Sequence, residues 1–393
     1  MEAQSGQGSQ SGASSEQVSG SWFSAWTANA KSNISETAEI ILEIVYGYKV
    51  DIEGGDPLLH KVNEALRQVS AAFVPGRWAV DIFPVLEHIP DWFPGAEFKR
   101  TARCWKQTLT CVINVPFELV KTQMSLGHAR TSFVSKSIEE ARLEGEFGPE
   151  EEHAIKWAAG SMYTAGADTS VSIMTAFFLA MSMFPHVQRK AQEEMDRVVG
   201  TSRLPTFSDR ENLPYTNAVV EEAQRWHPIT PMGLPHVAAC DDSIGGFRIP
   251  VGAIVFPAVW WFTRDPATHH EPETFKPERF LEPYNEPSAT SVIFGFGRRI
   301  CPGKTLADST LFLTVAQSLA ALSIRKTLDE RGHEIEPKHT FGPGVLALPG
   351  PFKINVAPRS KEYERLIEKV GKQYAPKQSG AESLKSMGLQ DGV

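Results

Sequence analysis

One cysteine stands where sulfur chemistry is best prepared. Cys301 lies in Phe294-Gly295-Phe296-Gly297-Arg298-Arg299-Ile300-Cys301-Pro302-Gly303, between a glycine-rich loop and the start of an apolar helical pattern. Gly295, Gly297 and Gly303 tolerate positive φ and close backbone approach, so a large flat ligand can lie against the main chain. A helix beginning near Pro302 aims its N-terminal amides and dipole at the sulfur, and Arg298 and Arg299 add positive charge. Each of these stabilises a thiolate, the form that ligates metals and attacks electrophiles.

The alternatives separate on the neighbours. A lone cysteine is most often a small buried hydrophobe, but this context is not that of a core position. No Cys or His falls within short metal-ligand spacing of Cys301, which argues against zinc. A dinucleotide loop needs a third glycine where Ile300 stands, and a P-loop needs a glycine where Arg298 stands and an amide that Pro302 lacks. A thiolate on haem iron fits the loop, because sulfur pushes electron density toward O–O cleavage. A cysteine nucleophile stays open on the loop alone, although no motif supplies a partner histidine.

Phe294 to Gly303 resembles the cytochrome P-450 signature Phe-x-x-Gly-x-Arg-x-Cys-x-Gly, matched at every fixed position. The resemblance implies haem b with Cys301 as axial ligand to iron, and Arg299 as a partner of a haem propionate. It is carried by three further motifs in family order. Ala165-Gly166-Ala167-Asp168-Thr169-Ser170 resembles the acid-alcohol motif, in which Gly166 loosens the helix beside a ligand while Asp168 and Thr169 relay protons. Glu222-Ala223-Gln224-Arg225 resembles Glu-x-x-Arg, and Pro277-Glu278-Arg279-Phe280 resembles the later Pro-Glu-Arg-Phe element. By that likeness Glu222, Arg225 and Arg279 form a hydrogen-bonded cluster supporting the cysteine loop, with planar guanidinium groups that lysine replaces poorly. His236, in Leu234-Pro235-His236, falls where similar proteins often place a propionate donor; read alone, it is an ordinary hydrogen-bonding histidine.

The elements that must position these residues are mainly helical. Apolar spacing predicts helices from about Ser35, over Leu59 to Phe73, over Ala96 to Leu126 with a break or kink at Pro116, and over Glu150 to Phe184 as a central spine. Further helices are expected over Val187 to Val199, Leu213 to Trp226 and about Pro302 to Leu322. Gly and Pro punctuate Pro228 to Pro257 as short strands and turns, and Phe341 to Val356 reads as a terminal hairpin. The expected fold is mainly α with a small β region, a cytochrome P-450 fold lacking its N-terminal helices and part of a sheet. Its parts are a disordered tail over 1–22, in which Ser, Gly and Gln supply 15 of 22 residues, a truncated haem domain over 23–360, and a helix end with a mobile tail over 361–393. The resemblance covers about Ile40 to Pro358 and is closest to fungal members. Three features depart from the family pattern. The early region is replaced by the Ser/Gly/Gln tail, the propionate-holding tryptophan and basic residue have no match, and a PKG-like turn reads Pro250-Val251-Gly252.

Composition agrees with a folded, intracellular chain. The 393 residues carry 39 Lys and Arg against 47 Asp and Glu, a formal charge of -8 that repels nucleic acid. Cys104, Cys111 and Cys240 carry no motif and read as structural, as expected in a reducing compartment. No apolar run reaches the roughly 20 residues of a membrane span, and Met1 to Ser21 has no signal-peptide pattern. The expected activity is haem-thiolate monooxygenation of a small apolar organic substrate by O2, with electrons from an NADPH-dependent reductase. A non-catalytic truncated remnant of such an enzyme is the alternative.

Overall fold

Helices dominate, and their ends follow local chemistry. The computed structural model describes residues 33–50, 56–74, 76–342, 345–374 and 380–386. The tail expected over 1–22 lies outside the described residues. α1 spans Asn33–Tyr46 and α2 spans Pro57–Ala72. Asp56 accepts hydrogen bonds from the Leu58 and Leu59 amides at 3.0 and 3.1 Å, satisfying donors that the first helical turn leaves free. α3 spans Glu97–Ser125. α4 (Phe133–Glu144) opens on a reciprocal Ser132–Ser135 cap and closes on Gly145 in the left-handed conformation, which glycine adopts at little cost.

α5 (Pro149–Met183) is the expected spine, 35 residues long. Its first half gives Ile155, Ala159, Tyr163 and Ala167 to a core shared with α1 to α4. Its second half gives Ile173, Phe177, Phe178 and Met181 to a second core. That core also holds α6 (Pro185–Val198), α7 (Pro214–Trp226), α8 (Lys304–Ala321) and Tyr363 of α9 (Lys361–Tyr374). A helix buried on nearly every side needs apolar residues all round, which is what Thr169 to Phe184 supplies.

The strands are few and form antiparallel pairs. β1 (His236–Val237) pairs with β4 (Ile254–Val255), and β2 (Asp242–Ile244) forms a hairpin with β3 (Phe247–Ile249). The two-residue turn is Gly245-Gly246, both at positive φ, the geometry that matches strand twist in tight hairpins. These four strands are exposed along almost their whole length. β5 (Leu322–Lys326) pairs with β6 (Ile354–Pro358) in the register Ile324 to Val356, and Leu322, Ile324 and Val356 are the buried residues of that ladder.

Three expectations change. α3 continues through Pro116 without interruption. Proline removes one hydrogen bond from a helix, but Val112, Ile113, Val115, Phe117, Leu119 and Val120 around it are all buried, and that packing holds the helix together. The expected hairpin over Phe341 to Val356 is reduced to a single Phe341–Pro349 bridge, because β6 pairs with β5 instead. Within 361–393, where a helix end and mobile tail are expected, residues 380–386 form α10 (Gly380–Ser386), with Leu384 buried and the Gly380 amide donating to the Lys49 carbonyl at 2.6 Å. Among the described residues no single helix is long and apolar enough to cross a membrane.

Candidate functional site

The cysteine loop closes on itself. The Cys301 amide donates to the Phe294 carbonyl at 2.7 Å, and the Arg299 and Ile300 amides donate to the Phe296 and Gly297 carbonyls at 3.2 Å. Gly295 and Gly297 hold φ at +82° and +54°, where a side chain would be strained. At Gly303 φ is -82°, so the positive φ expected there is not used. A Cβ there would stand 3.7 Å from the Cys301 sulfur. α8 begins at Lys304, two residues after Pro302, and its amide donates to the Cys301 carbonyl at 3.3 Å.

The Cys301 thiol is exposed, and Phe296, Ile300 and Leu306 expose apolar surface around it. Phe294 lies half-buried with the Lys304 ammonium 5.6 Å from its ring centroid. Among the described residues no group of three or more His, Cys, Asp or Glu is placed to hold a bare ion. A tetrahedral zinc would need such a group; an iron that brings four porphyrin nitrogens needs one protein ligand. An exposed lone sulfur set in apolar surface therefore fits haem. Arg299 and His236 are both exposed, His236 at the start of β1, and neither side chain has a partner among the described contacts.

Asp168 and Thr169 lie near the middle of α5. Asp168 is 9% exposed, and burial raises its carboxyl to about 6. Thr169 is half-buried and its hydroxyl donates to the Ala165 carbonyl at 3.0 Å. The helix does not loosen at Gly166. A Cβ at that position would come 2.7 Å from Cδ1 of Ile41, so the glycine admits α1 rather than a ligand. A carboxyl whose folded pKa exceeds its ordinary 3.8 binds more protons folded than unfolded between those values, so stability falls as pH rises through about 4 to about 6. Asp168→Asn removes the burial penalty of the charge. It is expected to be more stable than wild type by about 1–3 kcal/mol near pH 8 and nearly equal to it near pH 4. Urea unfolding at both pH values checks this; an equal difference at both would disprove it.

The structure brings Glu222, Arg225 and Arg279 together, all fully buried. Arg225 donates Nε and Nη2 to the two Glu222 oxygens at 2.7 and 2.8 Å, the bidentate geometry that only a guanidinium offers. Its Nη1 donates to the Thr263 carbonyl at 2.7 Å. Arg279 reaches Glu222 with Nε at 3.2 Å, and its Nη1 donates to the His270 carbonyl at 2.7 Å and to Glu286 at 2.8 Å. The Lys276 amide donates to Glu222 at 2.8 Å. The bonds from Arg225 to Thr263 and from Lys276 and Arg279 to Glu222 tie α7 to the segment 263–286, and among the described hydrogen bonds none runs from the cluster to residues 294–303. Sequence reasoning missed Glu286, the second carboxylate that balances the second guanidinium. It sits in a Pro- and charge-rich loop with no periodicity to single it out.

A family model described as cytochrome P450 matches residues 34–356. The chain belongs to the cytochrome P450 family. Among curated P450 relatives, the multifunctional cytochrome P450 monooxygenase af510 of Aspergillus fumigatus is 41% identical over 353 residues, which cover 88% of this chain and 66% of that protein. Cytochrome P450 monooxygenase claR of Ampulloclitocybe clavipes is 44% identical over 350 residues, 88% of this chain and 64% of its own length. O-methylsterigmatocystin oxidoreductase of Aspergillus flavus is 39% identical over 338 residues, 85% of this chain and 63% of its own. This P450 chain thus spans just under two thirds of the length of these relatives.

Proposed function

We propose that this chain is the haem-binding portion of an intracellular monooxygenase that inserts one atom of O2 into a small apolar organic substrate, using electrons from an NADPH-dependent reductase. The observation that carries the reading is Cys301, a single exposed thiol on a self-closed glycine loop with no competing ligand cluster among the described residues. Haem b bound there supplies reductive cleavage of O2 and transfer of one oxygen atom to the substrate.

The protein's own contribution is positional and acid-base. Cys301 would hold the iron through sulfur, Gly303 would let the flat ligand lie close to the main chain, and Phe294 anchors the loop closure through its carbonyl. Arg299 and His236 offer free donors for the propionates. With its carboxyl near 6, Asp168 is protonated in about a tenth of molecules at pH 7, so it can both hold and release a proton near neutrality. The Thr169 hydroxyl, released from the Ala165 carbonyl, can pass that proton on. Ala158, Met162, Ala165 and Thr169 recur at helical spacing on one face of α5, all exposed or half-exposed, which supports an apolar substrate beside the threonine. The intracellular setting is supported by Cys104, Cys240 and Cys301, which form no disulfide among the described residues.

Purified chain reconstituted with hemin, reduced and exposed to carbon monoxide, is expected to give the strongly red-shifted Soret band of thiolate-ligated iron. A spectrum typical of imidazole ligation, or no uptake of hemin, would reject the proposal. A second reading is a chain that keeps the fold and the haem site without turnover. It is favoured by the exposure of β1 to β4 together with Leu234, Phe256 and Trp261, and substrate-dependent consumption of reductant would rule it out.

A further inference from the structure

Two histidines outside the proposed site are joined ring to ring. His227, directly after α7, is fully buried, and its Nε2 lies 2.6 Å from the Ala347 carbonyl oxygen. A carbonyl only accepts, so Nε2 carries the hydrogen and the neutral ring must accept at Nδ1. That Nδ1 lies 3.0 Å from Nε2 of His339, which is therefore the donor. With both rings neutral, these two hydrogen bonds make each of them the Nε2–H tautomer. Aromatic stacking frames them. His339 lies on Trp226 with centroids 3.6 Å apart, and His227 lies on Phe341 at 4.6 Å.

The same segment is tied down by its backbone. The Ala347 amide donates to the Ile229 carbonyl at 2.7 Å, and Phe341 bridges Pro349. We infer that residues 339–342 and 345–349 form an acid-released strap, locked onto the end of α7 by a neutral histidine pair and freed when that pair takes up protons. One added proton can sit on Nδ1 of His339 with both hydrogen bonds kept, but it places a charge near the Arg264 guanidinium; a second proton, on Nδ1 of His227, sets two N–H groups against each other across 3.0 Å. The charged group facing the pair is Arg264, whose guanidinium lies 3.4 Å from the Trp260 centroid and donates to the Trp226 carbonyl at 2.6 Å. Its own partner is the exposed Glu273. No carboxylate contributes to the balance at either ring, so nothing there welcomes an imidazolium.

Burial pushes the His227 ring down to about 4, with Arg264 adding to the effect against the Ala347 hydrogen bond. Burial, then His227 and Arg264, pushes His339 down to about 3. Rings that are neutral when closed but titrate near the ordinary 6.5 when open make closure strongest above that value and weaker as pH falls toward about 4. The strap also braces the stretch that runs from Ile229 into β1 and His236. Release in mild acid would then loosen that edge of the proposed haem site, a consequence that rests on the function proposed above, whereas the strap itself does not.

Hydrogen exchange of the full chain, corrected for intrinsic rates, tests the strap without haem. Protection of the Ala347 amide and its neighbours is expected to fall at least about tenfold between about pH 7.5 and about pH 5, while the β5–β6 ladder keeps its protection. In the double variant His227→Gln with His339→Phe, glutamine keeps a donor toward the Ala347 carbonyl and phenylalanine keeps the stack on Trp226. Its profile is expected to be flat. Unchanged wild-type protection, or an equal acid loss in the double variant, overturns the inference. Should that variant not fold, exchange of the histidine C2 hydrogens in wild type decides: midpoints well below 6 for both rings support the strap, and midpoints near 6.5 overturn it.

Discussion

Cys301→Ala is expected to abolish the thiolate Soret band completely while leaving the fold as stable as wild type. The two halves of this expectation have different causes. The loop is closed by backbone hydrogen bonds from residues 299, 300 and 301, which alanine makes equally well. The thiol itself is exposed, and substitutions at exposed positions away from special backbone features change stability by no more than about 0.5 kcal/mol. The sulfur is thus dispensable for folding and indispensable for the proposed ligation. Cys301→His sharpens the test, since an imidazole at the same position should move the carbon monoxide band to that of histidine-ligated iron. A thiolate band that survives in Cys301→Ala would show that another cysteine holds the iron.

Glu222→Gln should produce the largest loss of stability, about 3–5 kcal/mol. The substitution keeps the shape but strips the charge from a carboxylate that pairs with two guanidinium groups, all three fully buried. The substitution leaves the buried Arg225 with no anionic partner and Arg279 with Glu286 alone, and an uncompensated buried charge costs far more than an intact cluster contributes. Against a total stability of about 5–15 kcal/mol for an ordinary domain, much of the variant should be unfolded or insoluble. Arg225→Lys should fall in the same direction, since an ammonium cannot serve both Glu222 oxygens and the Thr263 carbonyl from one position. The comparison is Asp196→Asn, which breaks the exposed pair with Arg359 and should cost less than about 1 kcal/mol. Soluble yield and urea unfolding measure both. A Glu222→Gln protein within about 1 kcal/mol of wild type would show that the cluster is not what holds the segment 263–286 in place.

What the sequence makes legible is what depends on near neighbours. The five fixed residues of the cysteine loop, the Glu222–Arg225 pair at helical spacing, and the long apolar run of α5 are each written within a window of ten to twenty residues. Their physics is local: positive φ at Gly295 and Gly297, a shared helix face, burial on all sides. Contacts between distant segments are not written that way. Gly166 reads as a flexible point until Ile41 is seen filling the space beside it, and Pro116 reads as a break until six buried neighbours are seen to span it. β6 finds β5 rather than its nearer neighbour for the same reason. Arg279 joins Glu222 from 57 positions away; only the resemblance, not the residue pattern, links the two.

The self-closed loop has one further consequence. Because the amides of Arg299, Ile300 and Cys301 are already bonded to carbonyls within the loop, the stretch of main chain that carries the sulfur is set before anything arrives to meet it. Whatever docks there forfeits little conformational freedom from the polypeptide, so most of its attraction survives as affinity.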